Sequence, residues 1–296
     1  MSNAIQLGPL LLPFALLLVF ASAASTLALG RWLSKDASDE IERTLWHSMM
    51  VGVLIARLAF VYEYRTLYLA SPLTILDIRD GGWNPTFGLI GAWLYGVYRE
   101  RRTPAVRKPL RWALGIGTAV FVIGTVVLAL RPASDQKLPE IAFASLGGDT
   151  VQLKEFVGKP TAVNLWATWC PPCVREMPVL HEAQRKHPDV NFVFLNQGED
   201  PAQVASWLDS QQLPLRNVLL DPKREASAAF QQKGYPATLF FNARGELVSI
   251  RIGELSAATL TERLEKLSRT ADAPVGRILQ PQAWPSPARA HSLPRG

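Results

Sequence analysis

TAVNLWATWCPPCVREM, residues 161–177, contains both cysteines of this 296-residue chain. Its first six residues, Thr161-Ala-Val-Asn-Leu-Trp166, form an apolar run with β-branched and aromatic members, which predicts a buried strand. From residue 172 to 187 the apolar positions return at helical spacing, at Met177, Leu180 and Ala183. Cys170 and Cys173 therefore sit at a strand-to-helix turn. A pair so close in sequence cannot staple a fold, and a disulfide across so short a loop would constrain little chain. The spacing is that of a redox or a metal motif. Zinc would need His181 and His187 as further ligands, and these do not share a helix face. No metal and no cofactor are expected.

The turn context favours redox chemistry. The nucleophile of disulfide exchange is a thiolate, and the unpaired N–H groups and partial positive charge of a helix N-terminus stabilise one at Cys170. Cys173, one turn on, then resolves the mixed disulfide. Pro171 and Pro172 fall where a missing N–H costs nothing.

Strand-like and helix-like patterns alternate outward from this motif. Strands are expected at 141–146, 191–196, 216–220, 237–242 and 246–252, and helices at 201–211, 225–232 and 257–267. Ala243-Arg244-Gly245 reads as the turn of a hairpin. Residues 139–269 thus predict an α/β domain around one central sheet. Residues 131–138 read as a polar linker, and the proline-rich tail 270–296 as disordered.

The first 130 residues are different in kind. The chain as a whole is 48% hydrophobic and 19% charged, and its apolar runs concentrate here. Four transmembrane helices are expected, at 7–29, 45–62, 82–98 and 112–130. A net charge of +6 is one signature of nucleic-acid binding. However, Arg99, Arg101, Arg102, Arg107, Lys108 and Arg111 gather between two apolar segments, which is a topology signal. That loop is expected in the cytoplasm, with the N-terminus and everything after residue 130 outside. A cleavable signal peptide competes for the first segment through Ala21-Ser22-Ala23, but no Lys or Arg precedes it.

Trp166-Ala-Thr-Trp169-Cys170-Pro-Pro-Cys173 resembles the thioredoxin superfamily, and within it the TlpA-like branch of extracytoplasmic thiol–disulfide oxidoreductases. Gly234-Tyr235-Pro236-Ala237-Thr238 is similar to the loop whose cis-proline faces the dithiol in that fold. The resemblance implies a thioredoxin fold, a catalytic pair Cys170 (nucleophile) and Cys173 (resolving), a cis bond at Pro236, and supporting roles for Trp169 and Tyr235. It also implies Glu176 as the base, one turn after Cys173, because thioredoxin's buried aspartate is Asn164 here.

A second resemblance covers residues 1–130. Ile55-Ala-Arg57-Leu-Ala-Phe-Val-Tyr62 and Asp80-Gly-Gly-Trp-Asn-Pro-Thr86-Phe-Gly-Leu-Ile-Gly91 look like the early spans of prolipoprotein diacylglyceryl transferase. The essential histidine of that family is replaced by Thr86, so its catalytic residues are not carried over. Arg57 is expected to meet a lipid headgroup or a neighbouring helix, since an intramembrane arginine needs a partner.

No cysteine lies in the apolar segments, so electrons must reach Cys170 from another protein. The expected function is a membrane-anchored reductase of periplasmic protein disulfides, recharged by a DsbD-like membrane donor, with membrane lipid as a further partner and no nucleic acid. The alternatives are a protein thiol oxidase, or a lipid-binding membrane module with a docking thioredoxin domain.

Overall fold

A computed structural model of the chain describes residues 4–7, 10–34, 38–70, 72–130 and 136–271. Most of the expected linker (131–135) and nearly all of the expected tail (272–296) lie outside these.

The N-terminal half opens with an antiparallel hairpin, β1 (Ala4–Leu7) and β2 (Leu10–Pro13). Helices follow: α1 (Phe14–Leu33), α2 (Ser38–Glu63), α3 (Arg65–Ala70), α4 (Pro85–Arg102) and α5 (Arg107–Ala129). Two 3₁₀ turns, Pro72–Leu76 and Ile78–Asp80, join α3 to α4. The first apolar segment turns helical only after Pro13, since proline lacks the N–H that helix propagation needs.

All four expected segments are helical, but among the described residues three helices are long and apolar enough to cross a membrane: Phe14–Leu33, Asp39–Glu63 and Pro104–Ala129. The third expected segment, α4, falls short. Its last turn carries Arg99, Glu100, Arg101 and Arg102, so only its first 14 residues are uncharged. That is roughly 21 Å of helix against a hydrocarbon core of about 30 Å. Instead, α4 packs closely on α2. A Cβ at Gly52 would lie 2.9 Å from the Gly88 carbonyl, and one at Gly88 would lie 2.9 Å from the Ala56 Cβ. Small residues permit this approach, as they do between helices in lipid. Apolar side chains such as Phe20, Leu54, Leu58, Ile123 and Val127 point outward.

The C-terminal half is built on one sheet, ordered β4-β3-β7-β6-β5-β8-β9. Its strands are β3 (Ala142–Ser145), β4 (Thr150–Gln152), β5 (Thr161–Trp166), β6 (Asn191–Gln197), β7 (Val218–Asp221), β8 (Ala237–Phe241) and β9 (Leu247–Ile252). Strands β5, β6 and β7 are parallel, while β8 runs antiparallel to β5 and forms the expected hairpin with β9. Helices α6 (Pro171–Lys186), α7 (Pro201–Ser210), α8 (Glu225–Ala229) and α9 (Ala257–Ala271) connect and cover it. Every residue of β5 is buried. Ala162 and Trp166 belong to one core with Met177, Leu180 and Phe194. Val163 and Leu165 belong to the other with Val193, Leu195 and Phe241. A central strand covered on both faces reads as a continuous apolar run.

The two halves touch. Tyr64, at the end of α2, donates to Glu265 Oε2 on α9 (3.4 Å). Arg251 Nη2 donates to the Asp80 carbonyl (2.8 Å), and Ser256 Oγ donates to Asp80 Oδ2 (3.2 Å). Ala258 packs with Phe60, Tyr64 and Tyr68.

Candidate active site

The dithiol stands where the central strand gives way to α6. Cys170 is the residue before the helix, with extended backbone, and Pro171 and Pro172 fill the first helical positions. The Cys173 N–H points at Cys170 Sγ (3.4 Å). The two sulfurs are joined as a disulfide, with their Cα atoms 5.3 Å apart. Cys170 is 4% exposed and Cys173 is 0% exposed, so a reagent can approach only at Cys170.

Trp169 is 58% exposed beside them. Its ring meets the Tyr235 ring edge-on, with centroids 6.1 Å apart. The Tyr235–Pro236 peptide bond is cis. The dithiol loop and the Gly234–Thr238 loop, 60 residues apart in sequence, are therefore neighbours. Tyr235 OH is also 3.0 Å from Ser227 Oγ, which anchors the ring to α8. The Pro236 carbonyl accepts from Gly253 N–H (2.9 Å).

Glu176 lies on the buried face of α6 and is 0% exposed. Its Oε1 accepts from Asn164 Nδ2 (2.7 Å) and its Oε2 from Leu255 N–H (2.9 Å). Asn164 Nδ2 also donates to Thr238 Oγ1 (3.0 Å). Burial pushes the Glu176 carboxyl up to about 8, against a pull downward from those two hydrogen bonds. Nearby Glu254 adds to the rise and Arg251 opposes it.

Sequence reasoning missed Glu199. This buried carboxylate accepts from Thr168 N–H (2.7 Å), Asn196 Nδ2 (2.6 Å) and Gln203 Nε2 (3.0 Å), and from the Thr168 hydroxyl. It ties down the loop two residues before Cys170. The parallel pairing offered a signal for it. Trp166 is in register with Asn196, so the residues that follow β5 and β6 emerge side by side. In sheets of this kind, sites form beyond the carboxyl ends of the parallel strands.

Arg57 lies outside this cluster and is buried. Its Nη1 pairs with Asp80 Oδ1 (2.9 Å) and donates to the Gly82 carbonyl (2.9 Å). Its Nη2 and Nε reach the carbonyls of Thr74, Ile75 and Asp77, and the guanidinium lies over the rings of Tyr68 and Trp83. The charged partner is thus Asp80, at the end of the short 3₁₀ turn before α4, and the Tyr68 ring stands on α3.

Comparison with known proteins finds a likeness for each half. Residues 133–264 match the Redoxin family, and residues 3–128 match prolipoprotein diacylglyceryl transferase. The thioredoxin-like protein YneN of Bacillus subtilis is 29% identical over 136 residues, covering 44% of this chain and 78% of its own. The thiol-disulfide oxidoreductase ResA of Halalkalibacterium halodurans is 28% identical over 145 residues, covering 48% and 81%. A crystal structure of a secreted Mycobacterium tuberculosis disulfide oxidoreductase aligns with a TM-score of 0.40 at 24% identity, over 43% of this chain and 96% of that one. The chain is a membrane protein that joins a helical region similar to prolipoprotein diacylglyceryl transferase to a thioredoxin-like Redoxin domain, and it is a thiol–disulfide oxidoreductase.

Proposed function

We propose that this protein is a reductase of periplasmic protein disulfides, anchored in the bacterial inner membrane and recharged by a separate, DsbD-like membrane donor. The observation that carries this reading is the asymmetry of the dithiol. Cys170, at a helix N-terminus, keeps a small exposed surface (4%), while Cys173 has none (0%) and lies on the helix that carries Glu176.

The chemistry follows from that asymmetry. The Cys170 thiolate attacks one sulfur of a client disulfide. A Cys170–client bond forms and one client thiolate leaves. Cys173 loses its proton to Glu176 and attacks Cys170 Sγ. The Cys170–Cys173 bond forms and the second client thiolate leaves. Two electrons pass to the client, and Glu176 ends neutral. A carboxyl raised to about 8 while the disulfide is closed fits this end state. When the donor reopens the disulfide, Cys173 leaves as a thiolate and the same carboxyl supplies its proton. Asn164 suits both states. With Glu176 neutral, turning the amide over would place Oδ1, otherwise unpartnered, to accept the carboxylic O–H. Trp169 and Tyr235 flank the approach to Cys170. Because Gly253 takes the Pro236 carbonyl, a client strand pairing at this loop meets the backbone at Tyr235.

The outward placement of the domain has two supports. The arginine cluster at 99–111 lies at one end of the helices. The redox domain touches Tyr64 and Asp80, which belong to the loops at the other end. Residues 1–130 form the anchor, and residues 139–269 the working domain.

Cys170→Ser is expected to abolish exchange, and Cys173→Ser to accumulate mixed disulfides with clients, seen on non-reducing gels. Alkylation of Cys173 before Cys170 at neutral pH would reverse the assignment. Direction is read from the reduction potential, expected on the reducing side of about −200 mV. A value near that of DsbA, about −120 mV, would make the protein an oxidase.

A further inference from the structure

The two halves meet at the turn that holds Glu176, residues 253–256 between β9 and α9. Leu255, 1% exposed, gives its N–H to Glu176 Oε2 (2.9 Å). The next residue, Ser256, gives its hydroxyl to Asp80 Oδ2 (3.2 Å). Arg251 Nη2 donates to the carbonyls of Asp80 (2.8 Å), Arg79 (3.2 Å) and Glu254 (3.4 Å), strapping the same turn to the loop before α4. From the domain side, Arg175 on α6 pairs with Glu254 (2.7 Å).

Asp80 is itself immobilised. Its carboxylate accepts from Arg57, from the Tyr68 hydroxyl (2.7 Å) and from Gly82 N–H (3.0 Å). A buried ion pair with further hydrogen bonds is a stiff object. The turn is therefore fastened at one end to a rigid loop of the membrane half, and its next backbone N–H sets the hydrogen bonding of the carboxyl on α6.

We propose that Asp80 is a positioning residue for Glu176, acting through Ser256 and Leu255, so that the membrane half tunes proton transfer at the dithiol. The inference rests on the reading of Glu176 as the base. Its direction follows from the geometry. A backbone N–H donated to a carboxylate favours the charged form. Releasing Ser256 from Asp80 loosens the Leu255 N–H and moves the titration of Glu176 upward. The charged groups facing Glu176 are Glu254 and Arg251. Arg251 in turn faces Asp80, Glu262 and Arg263. None of these is altered in Ser256→Ala.

The test uses the full-length protein in lipid nanodiscs, reduced and then reacted with glutathione disulfide from pH 5.5 to 9. The read-out is the pH midpoint of the rate. Ser256→Ala and Asp80→Asn are each expected to raise the midpoint by about half a unit, roughly a threefold loss of rate on the acidic side. Ser256→Thr, which keeps the hydroxyl, restores the wild-type profile. A merely structural role would lower yield or melting temperature and leave the midpoint in place. Ser256 also caps α9 through Thr259 N–H. The Thr259 hydroxyl accepts in return from Ser256 N–H (3.0 Å). Should Asp80→Asn not fold, Thr259→Val serves as the control: it removes this reciprocal half of the cap and spares the Asp80 contact, so its midpoint is expected to stay at the wild-type value. A wild-type midpoint in Ser256→Ala, or the same shift in Thr259→Val, overturns the proposal. Glu176→Gln separates the two ideas. If it keeps the wild-type profile, the reading of Glu176 fails. If it changes the profile while Ser256→Ala does not, only the positioning role fails.

Discussion

Two carboxylates frame the dithiol, and they do different work. Glu176 is buried and titrates high, whereas Glu199 is held by a ring of donors and fixes a loop. The raised value of Glu176 has a consequence for stability. Between about 4.5 and about 8 the folded protein keeps the proton that the unfolded chain has lost. The contribution to stability is thus full below pH 4.5 and is lost as pH rises toward 8. Glu176→Gln cannot titrate, so its melting temperature is expected to vary less between pH 5 and 8 than that of the wild type. Equal pH slopes in thermal melts of the two oxidised proteins would count against the raised carboxyl. Glu199→Ala leaves the buried Asn196 amide without an acceptor, which typically costs about 1–3 kcal/mol, and frees the half-buried Thr168 donors. It is expected to slow exchange while leaving Cys170 alkylation dependent on pH as before. That Cys170, Cys173 and Glu176 lie together was legible because their placement depends on spacing along one strand and helix. Glu199 was not, because four donors from three separate segments define it and no local pattern announces that convergence.

At the level of elements, α6 bears the most contradictory sequence. Pro178 sits inside it and removes the N–H that would bond the Val174 carbonyl, yet the helix runs on to Lys186. Burial of Met177, Leu180 and Ala183 outweighs the local preference. The alternation of strand and helix patterns located ten of the eleven strands and α-helices between residues 142 and 271 closely enough to give the topology class, counting β5 and α6 from the opening motif. It overlooked β4, a three-residue strand too short to show a period; it began β7 two residues early, ran α8 three residues long and stopped α9 four residues short. The weakest expectation was α4. Its glycines at 88, 91 and 96 are spent on close helix contact, so its apolar character reports packing as much as lipid exposure. Among the described residues Trp166 is the largest fully buried side chain, with its ring centroid 5.3 Å from that of Trp207 and in one core with Cys170 and Cys173. Trp166→Ala is expected to destabilise the redox domain by about 3–5 kcal/mol, measured by denaturant titration, and to leave the helical membrane region in place.

Across the whole molecule, charge carries the proposed orientation and a single ion pair helps to join the halves. A reporter that functions only when exported is expected to be active when fused after Leu130 and silent within residues 99–107. The opposite pattern would turn the protein inside out. Arg57→Ala would strand Asp80 in a buried site, a class of change that costs about 3–5 kcal/mol. It is expected to weaken the helical region and the contact with α9 together, visible as faster proteolysis between the halves. The need for an Arg57 partner was legible from its apolar surroundings; the identity of that partner was not, because Asp80 lies 23 residues away across two short turns. The contact of Ser256 and Arg251 with Asp80 also sets a height. A domain fastened at its base to the loops of its own anchor does not sweep a hemisphere as a bead on a string would. In the proposed topology it carries Cys170 in a thin layer parallel to the bilayer. Encounters with another membrane-bound protein then become a matter of lateral diffusion within that layer, where the local concentration is far above that of a free-swimming carrier. Clients that extend well above the surface meet the dithiol less often, so reach above the membrane becomes a criterion of client choice alongside chemistry.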